Sequence, residues 1–135
     1  MTIPEITYHI NGQKESESYY KNGECHREDG PAFIHWYSNG QKACEIHYKN
    51  GKYHREDGFA YIGWYENGQK ARESYYKNGK LHREDGSARI DWDDNGQKAG
   101  ESYYINGIEK SIGYFLERGF KRNKCKSCNR IYLKK

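Results

Sequence analysis

The sequence predicts an all-β protein, an antiparallel meander of repeated β-hairpins in 28-residue repeats with a short basic C-terminal cap. Three observations carry that prediction. His-Arg-Glu-Asp-Gly occurs three times, at His26 to Gly30, His54 to Gly58 and His82 to Gly86, always 28 residues apart. Asn-Gly pairs keep the same step in two interleaved series, Asn11, Asn39, Asn67 and Asn95, and Asn22, Asn50, Asn78 and Asn106. Between these marks lie short segments that alternate with period two, the pattern of a strand. Repetition this strict points to a stacked scaffold in which each unit packs on the next.

The first strand of each copy is the alternating run Ala32, Ile34, Trp36, repeated as Ala60, Ile62, Trp64 and Ala88, Ile90, Trp92. After an Asn-Gly turn comes a second extended segment, Lys70 to Lys77 in one copy. It ends in Tyr75 and Tyr76, matched by His47 and Tyr48 and by Tyr103 and Tyr104. Asn-Gly between two such runs predicts a hairpin, because both residues tolerate positive φ. Asp-Gly adds a third turn signal, yet three reversals per copy would flip the chain direction and prevent equivalent copies from stacking in register. The reading is therefore two strands per repeat, joined to the next pair by a longer connection running from the second Asn-Gly through His-Arg-Glu-Asp-Gly.

In that connection Asp and Gly make the turn, and Arg and Glu are expected to pair between neighbouring connections. The Ala, Ile and Trp columns, with part of the tyrosines, form the expected inner face, worth ~2 kcal/mol per large side chain buried. Trp64→Ala should then cost more than any change of charge. The organisation is residues 1–113 as hairpin repeats and 114–135 as cap, the fourth copy degenerating between Ile108 and Tyr114. Tyr114 to Arg118 is read as a short helix or a final strand that caps the sheet.

With 34% hydrophobic and 31% charged residues and a mean hydropathy of -1.28, the chain is too polar for a thick two-sided core. Its 14 Tyr, 3 Trp and 4 Phe are far more aromatic surface than a disordered chain carries. No apolar run approaches the ~18 residues of a membrane span, and Met1 to Glu5 lacks the basic and apolar regions of a signal peptide, so a cytoplasmic protein is expected. Cys25 and Cys44 fall where other copies hold Tyr53 and Leu81, or Arg72 and Gly100, so no disulfide framework is expected.

The order Lys-Asn-Gly-Lys-x-His, a strand ending in Asn-Gly, then a strand ending in an aromatic and Lys-Asn-Gly, resembles the membrane occupation and recognition nexus (MORN) repeat and its bacterial and viral variants over roughly residues 8 to 109. The connection His26 to Ala32, His-Arg-Glu-Asp-Gly-Pro-Ala, is similar to repeat proteins of bacteriophages and large DNA viruses. The spacing is expanded relative to the glycine-rich MORN pattern, and Phe59 and Ser87 stand where the first copy has Pro31. The resemblance implies a non-enzymatic protein-binding scaffold. It further implies a small soluble chain that blocks a macromolecule in a host cytoplasm, such as an anti-CRISPR-like inhibitor of a bacterial defence complex. Similarity to MORN-variant antitoxins implies instead a neutraliser of a cognate toxin.

An enzyme would need one non-repeated constellation of nucleophile or acid with a positioned base, and the sequence contains none. His26, His54 and His82 recur beside carboxylates, but equivalent side chains lie two strand spacings apart, about 9.6 Å, too far to share a tetrahedral ion. No cofactor is expected, with zinc the one metal to consider. Cys125 and Cys128 have the spacing of a zinc knuckle, and their basic neighbours favour thiolate. They are half a site, to be completed by Cys25, a histidine or a second chain; the alternative is a free thiol pair.

The segment from Glu117 to Lys135 holds eight basic residues against Glu117 alone. There Lys121, Arg122, Lys124, Lys126 and Arg130, interleaved with Phe120 and Tyr132, could contact phosphates and stack bases, or meet an acidic protein surface. Membrane binding is disfavoured, since the repeats are slightly acidic and no amphipathic helix is visible. The sharper candidate is the opposite face of the first strand, which varies among copies: Phe33, His35, Tyr37; then Tyr61, Gly63, Tyr65; then Arg89, Asp91, Asp93. Tyr and Arg are favoured at interfaces, so this face is expected to bind a protein; the other reading is drift on a solvated surface. Exposed edge strands at either end could pair between chains, allowing a homodimer.

Overall fold

The computed structural model describes residues 3–124 and 131–134. The first unit is β1 (Glu5–Tyr8), β2 (Lys14–Ser18), β3 (Tyr20–Lys21) and β4 (Glu24–Cys25). The second is β5 (Phe33–Trp36), β6 (Lys42–Ile46), β7 (Tyr48–Lys49) and β8 (Lys52–Tyr53), and the third β9 (Tyr61–Trp64), β10 (Lys70–Ser74), β11 (Tyr76–Lys77) and β12 (Lys80–Leu81). The fourth is β13 (Arg89–Trp92), β14 (Lys98–Ile105) and β15 (Ile108–Lys110), followed by α1 (Ile112–Leu116), β16 (Lys121–Lys124) and β17 (Ile131–Lys134). The long strands form one nine-stranded antiparallel meander, β1-β2-β5-β6-β9-β10-β13-β14-β15, with two long strands per repeat as expected. Among the described residues no helix is long and apolar enough to cross a membrane.

The connection is more ordered than the sequence reading has it. The second Asn-Gly series closes a two-residue ribbon in each unit, such as Tyr20 against Cys25 and Lys21 against Glu24. Asn22 and Gly23 both take positive φ, 51° and 78°, the conformation of a tight two-residue hairpin turn. The first series differs: Gly12 has φ 85° but Asn11 stays out of the left-handed region, and His9 N–H reaches Gln13 O across a three-residue loop. There the asparagine works through its side chain. Asn11 Oδ1 accepts from Gln13 N–H while Nδ2 donates to Ser38 O of the next hairpin, and Asn39 and Asn67 donate likewise to Glu66 O and Asp94 O.

The counting problem of the third turn is also resolved. β14 runs unbroken through the positions that β2 and β3 occupy in the first unit, pairing with β13 and then with β15. Because β4 runs back along β3 and β5 runs back along β2, His-Arg-Glu-Asp-Gly joins strands of the same sense and steps sideways without reversing the chain. The ribbons stack in turn: Gly51, Gly79 and Gly107 N–H donate to Cys25, Tyr53 and Leu81 O of the preceding ribbon. The expected charge pairs between neighbouring connections are not what forms. Arg27 pairs with Asp29 and His26 with Glu28 inside one connection, because residues two apart on that tight step face each other.

The core is a thin seam where the long strands meet the ribbons. Ala32, Ala60 and Ala88 are fully buried there, beside Ile46, Ser18, Ser74, His26 and His54. The Ile and Trp columns are less enclosed than expected. Ile34, Ile62 and Ile90 are half-buried between rows of Glu17, Glu45, Glu73 and Glu101, and Trp92 is buried while Trp36 and Trp64 are half-buried. Each glutamate pairs with the lysine three residues before it, as in Lys70 to Glu73 at 2.6 Å, and Lys14, Lys42 and Lys70 lie over Trp36, Trp64 and Trp92 of the next hairpin. A charged layer thus shields an aliphatic one.

One position in that layer is out of pattern. Arg27 stacks on Tyr19 at 4.0 Å and Arg83 on Tyr75 at 4.2 Å, whereas Arg55 meets His47 at the equivalent place. Burial pushes the His47 pKa down and the Arg55 charge adds to the effect. The unfolded chain therefore binds a proton more readily, and stability falls as pH drops through the ordinary histidine range near ~6.5, levelling below the folded-state value. His47→Tyr is expected to abolish that component and to add about 0.5–1 kcal/mol from the restored stack. Urea unfolding of both proteins between pH 5 and 8 measures it.

Candidate protein-binding groove

Three side-chain rows run across the variable face, one residue from each copy. The row nearest the turns is His9, Tyr37, Tyr65 and Asp93. His9 Nε2–H, Tyr37 O–H and Tyr65 O–H donate to Trp36 O, Trp64 O and Trp92 O of the next hairpin at 2.8, 2.7 and 2.8 Å. Asp93 has no further hairpin to reach and accepts from Asn95 and Gln97 N–H in its own turn. Tyr37 and Tyr65, singled out as contact residues, are therefore also clamps between hairpins. Burial raises the Tyr37 pKa, keeping its phenol a donor.

The middle row is Thr7, His35, Gly63 and Asp91, and the row beyond it Glu5, Phe33, Tyr61 and Arg89. Gly63 is buried where its neighbours carry side chains; a Cβ there would lie 3.0 Å from Tyr61 Oη and 3.2 Å from its ring. The missing side chain lets the Tyr61 ring lie down over Gly63. Arg72 of β10 stands directly across from both Gly63 and Asp91. Asp91 accepts from Arg72 Nε at 2.6 Å on one oxygen and from Arg89 Nε at 3.0 Å on the other. One carboxylate thus holds two guanidinium groups by their inner nitrogens.

These features enclose a groove of about 510 Å³, with Tyr37, Tyr61, Tyr65, Arg72, Asp91 and Asp93 in its lining. Of the expected contact residues, Tyr37, Tyr61, Tyr65, Asp91 and Asp93 come together there and Arg89 braces Asp91. Phe33 and His35 lie one hairpin away, their rings stacked 6.5 Å apart, with His9 6.4 Å beyond. All eight are half-buried, not the freely exposed aromatics and charges of the sequence reading, because each rests on a neighbouring strand. Tyr61 continues into an aromatic chain through Tyr53, 6.5 Å away, to Tyr48 and Tyr76 at 4.9 and 5.0 Å. Burial raises the pKa of Tyr61, Tyr76 and the Cys44 thiol, so these three groups stay neutral beside the arginine–aspartate cluster.

Arg72 is the charged groove residue missing from the sequence candidates. Its repeat position reads Ser16, Cys44, Arg72 and Gly100, as variable as the rows it faces, and that variation was the available signal.

The His-Arg-Glu-Asp-Gly loops line a second groove, between Arg55 to Gly58 and His82 to Asp85. The imidazoles of His26 and His54 are occupied at both nitrogens, while His82 Nε2 stands 3.6 Å from Glu84. Nδ1 of His26, His54 and His82 accepts Asn50, Asn78 and Asn106 N–H of the next ribbon at 3.0, 3.0 and 2.9 Å. On the other side His26 and His54 Nε2–H donate to Glu28 and Glu56 at 2.7 and 2.6 Å, bonds that hold both carboxyls below the usual range. Among the described residues no group of three or more His, Cys, Asp or Glu is placed to hold a metal ion.

In the cap, Lys121 and Arg122 are exposed on β16 and Lys124 ends that strand. Cys125, Lys126, Cys128 and Arg130 lie outside the described residues.

The family model described as "MORN repeat variant" matches residues 1–22, 32–50, 60–78 and 70–85, the strand pairs of the first three units. These are MORN-like repeats. The match skips most of each His-Arg-Glu-Asp-Gly connection in the first two units, where this chain expands the repeat. No curated protein and no solved structure matches the chain. MORN repeats are a non-catalytic type that generally binds proteins or membranes, and in these MORN-like repeats the scaffold contacts recur while the groove does not.

Proposed function

We propose that the protein is a non-enzymatic scaffold that binds a protein partner through the groove over Gly63. The observation that carries this reading is local: where the lattice repeats, side chains clamp hairpin to hairpin, and where it departs from itself, at Gly63, Arg72 and Asp91, it opens a concave surface of tyrosine and arginine. Those residues dominate binding energy at protein interfaces. Gly63→Glu is expected to fill the groove and abolish partner capture from a host lysate. Lys52→Glu on the ribbon should leave capture intact, and circular dichroism should show both variants folded. Equal capture by both variants would sink the reading.

The partner we put forward is a defence complex of a bacterial host, such as a CRISPR nuclease; its support is the resemblance to phage repeat proteins. Inhibition of DNA cleavage by such a nuclease, lost in Gly63→Glu, is the expected result, and capture of a toxin would replace that partner by the antitoxin reading.

One observation favours a second role, contact with nucleic acid through the cap. Lys121 lies directly across from Lys134 on the β16–β17 ribbon with Arg122 beside it, and like charges in that position destabilise a strand pair unless an anion compensates. Lys121→Glu with Arg122→Glu is expected to remove binding to single-stranded RNA or DNA and to flatten its salt dependence. Unchanged binding would overturn this role.

A further inference from the structure

The nine-stranded sheet ends differently on its two sides. Past β14 come β15, α1 and the β16–β17 ribbon, with Phe115 fully buried beside Tyr103, Tyr114 and Phe120. On the other side β1 is bare: all four residues are exposed, and among the described residues its outer edge has no partner strand. Tyr8, 62% exposed, stands at the position where Trp36, Trp64 and Trp92 are covered by a lysine of the preceding strand. Ile10 is fully exposed at a turn position that the other copies fill with Ser38, Glu66 and Asp94. Of seven large apolar residues exposed in the described chain, Ile3, Ile6, Tyr8, Ile10 and Tyr20 belong to the first unit.

The geometry points to a homodimer in which β1 pairs with β1 of a second copy, antiparallel about a two-fold axis that stands perpendicular to the sheet at Thr7. Such an axis keeps each face of the sheet on its own side, so opposed residues must share a face and the axis must pass through a single residue position. Centred on Thr7, Ile6 faces Tyr8 of the second copy, Glu5 faces His9 and Pro4 faces Ile10, each twice. Apolar side chains then meet apolar ones, and a carboxylate meets an imidazole, the pairings that stabilise neighbouring strands. Centred on Ile6, the same strands would set Glu5 against Thr7 and Ile3 against His9, losing both the carboxylate–imidazole pair and the Ile6–Tyr8 contact. A head-to-tail contact would have to use the β14 side, where the cap follows, and would not close on itself. The dimer continues one sheet through both copies and presents two Gly63 grooves on the same face; its existence does not depend on what those grooves bind.

Sedimentation of the full chain is expected to give twice the 16.0 kDa protomer mass. Tyr8→Lys with Ile10→Ser should halve it while leaving the far-ultraviolet circular dichroism unchanged. Under oxidation Thr7→Cys should give a covalent dimer that reductant dissolves, and Glu5→Cys should not, because only the axial residue meets its own copy, at about 4.5–5.5 Å between Cα atoms. The wild-type chain, with Cys25 and Cys44 in place, is the control. A protomer mass at every concentration overturns the dimer, and so does a mass that grows without limit. Crosslinking through Glu5→Cys in place of Thr7→Cys overturns the register.

Discussion

Trp92→Ala is expected to lower the unfolding free energy by about 3–5 kcal/mol, the range for deleting a large buried aromatic. Trp92 is the buried member of its column, 6% exposed, while Trp36 and Trp64 are half-buried. Its ring lies under Lys70 at 5.5 Å, its backbone carbonyl accepts the Tyr65 hydroxyl, and it forms part of the groove wall. Truncation would leave a void between β10 and β13 and free the lysine that shields it. Trp64→Ala, the damaging change on the sequence reading, should cost less because its side chain is only partly withdrawn from water. Urea unfolding of the two variants ranks them, and an equal or larger loss for Trp64→Ala would refute the ranking of these tryptophans by burial.

The difference between those tryptophans shows which part of the fold the sequence carries. Period two in Ala60, Ile62 and Trp64 and the Asn-Gly step specify strands, turns and their number, because these depend on residues within one copy. Relations between copies are harder to read. Asn11 and Asn22 sit in identical dipeptides, yet Asn22 adopts positive φ and Asn11 staples its side chain to Ser38 O, a contact 27 residues away. Tyr37 and Tyr65 looked like free interface residues because their position varies. What it conserves from His9 to Tyr65 is a donor for the next hairpin, and it changes to the acceptor Asp93 where no hairpin follows. The groove needed a further step, since it is made by the absence of a side chain at Gly63 together with Arg72 from the neighbouring strand. Register places that pair, and register is fixed by the whole sheet.

Phe115→Ala should produce a loss of similar size, about 3–5 kcal/mol, but confined to one end of the molecule. Phe115 has no exposed surface, and the rings of Tyr103, Tyr114 and Phe120 surround it at 5.2, 5.3 and 5.6 Å. It is the point where the five-residue helix α1, too short to be stable alone, is held against β14. Stacked repeats depend on their nearest neighbours, so removing this contact should release the cap while leaving the middle of the array folded. Hydrogen exchange is expected to quicken in α1 and β16 by more than about tenfold, the factor for each 1.4 kcal/mol of local stability, with β5, β6, β9 and β10 still protected. Leu116→Ala, on the exposed side of the same helix, should change neither region by more than about 0.5 kcal/mol. If Phe115→Ala instead unfolds the sheet in a single transition, the cap is part of the array's cooperative unit, and the hairpins depend on this last contact as much as on their own ladder.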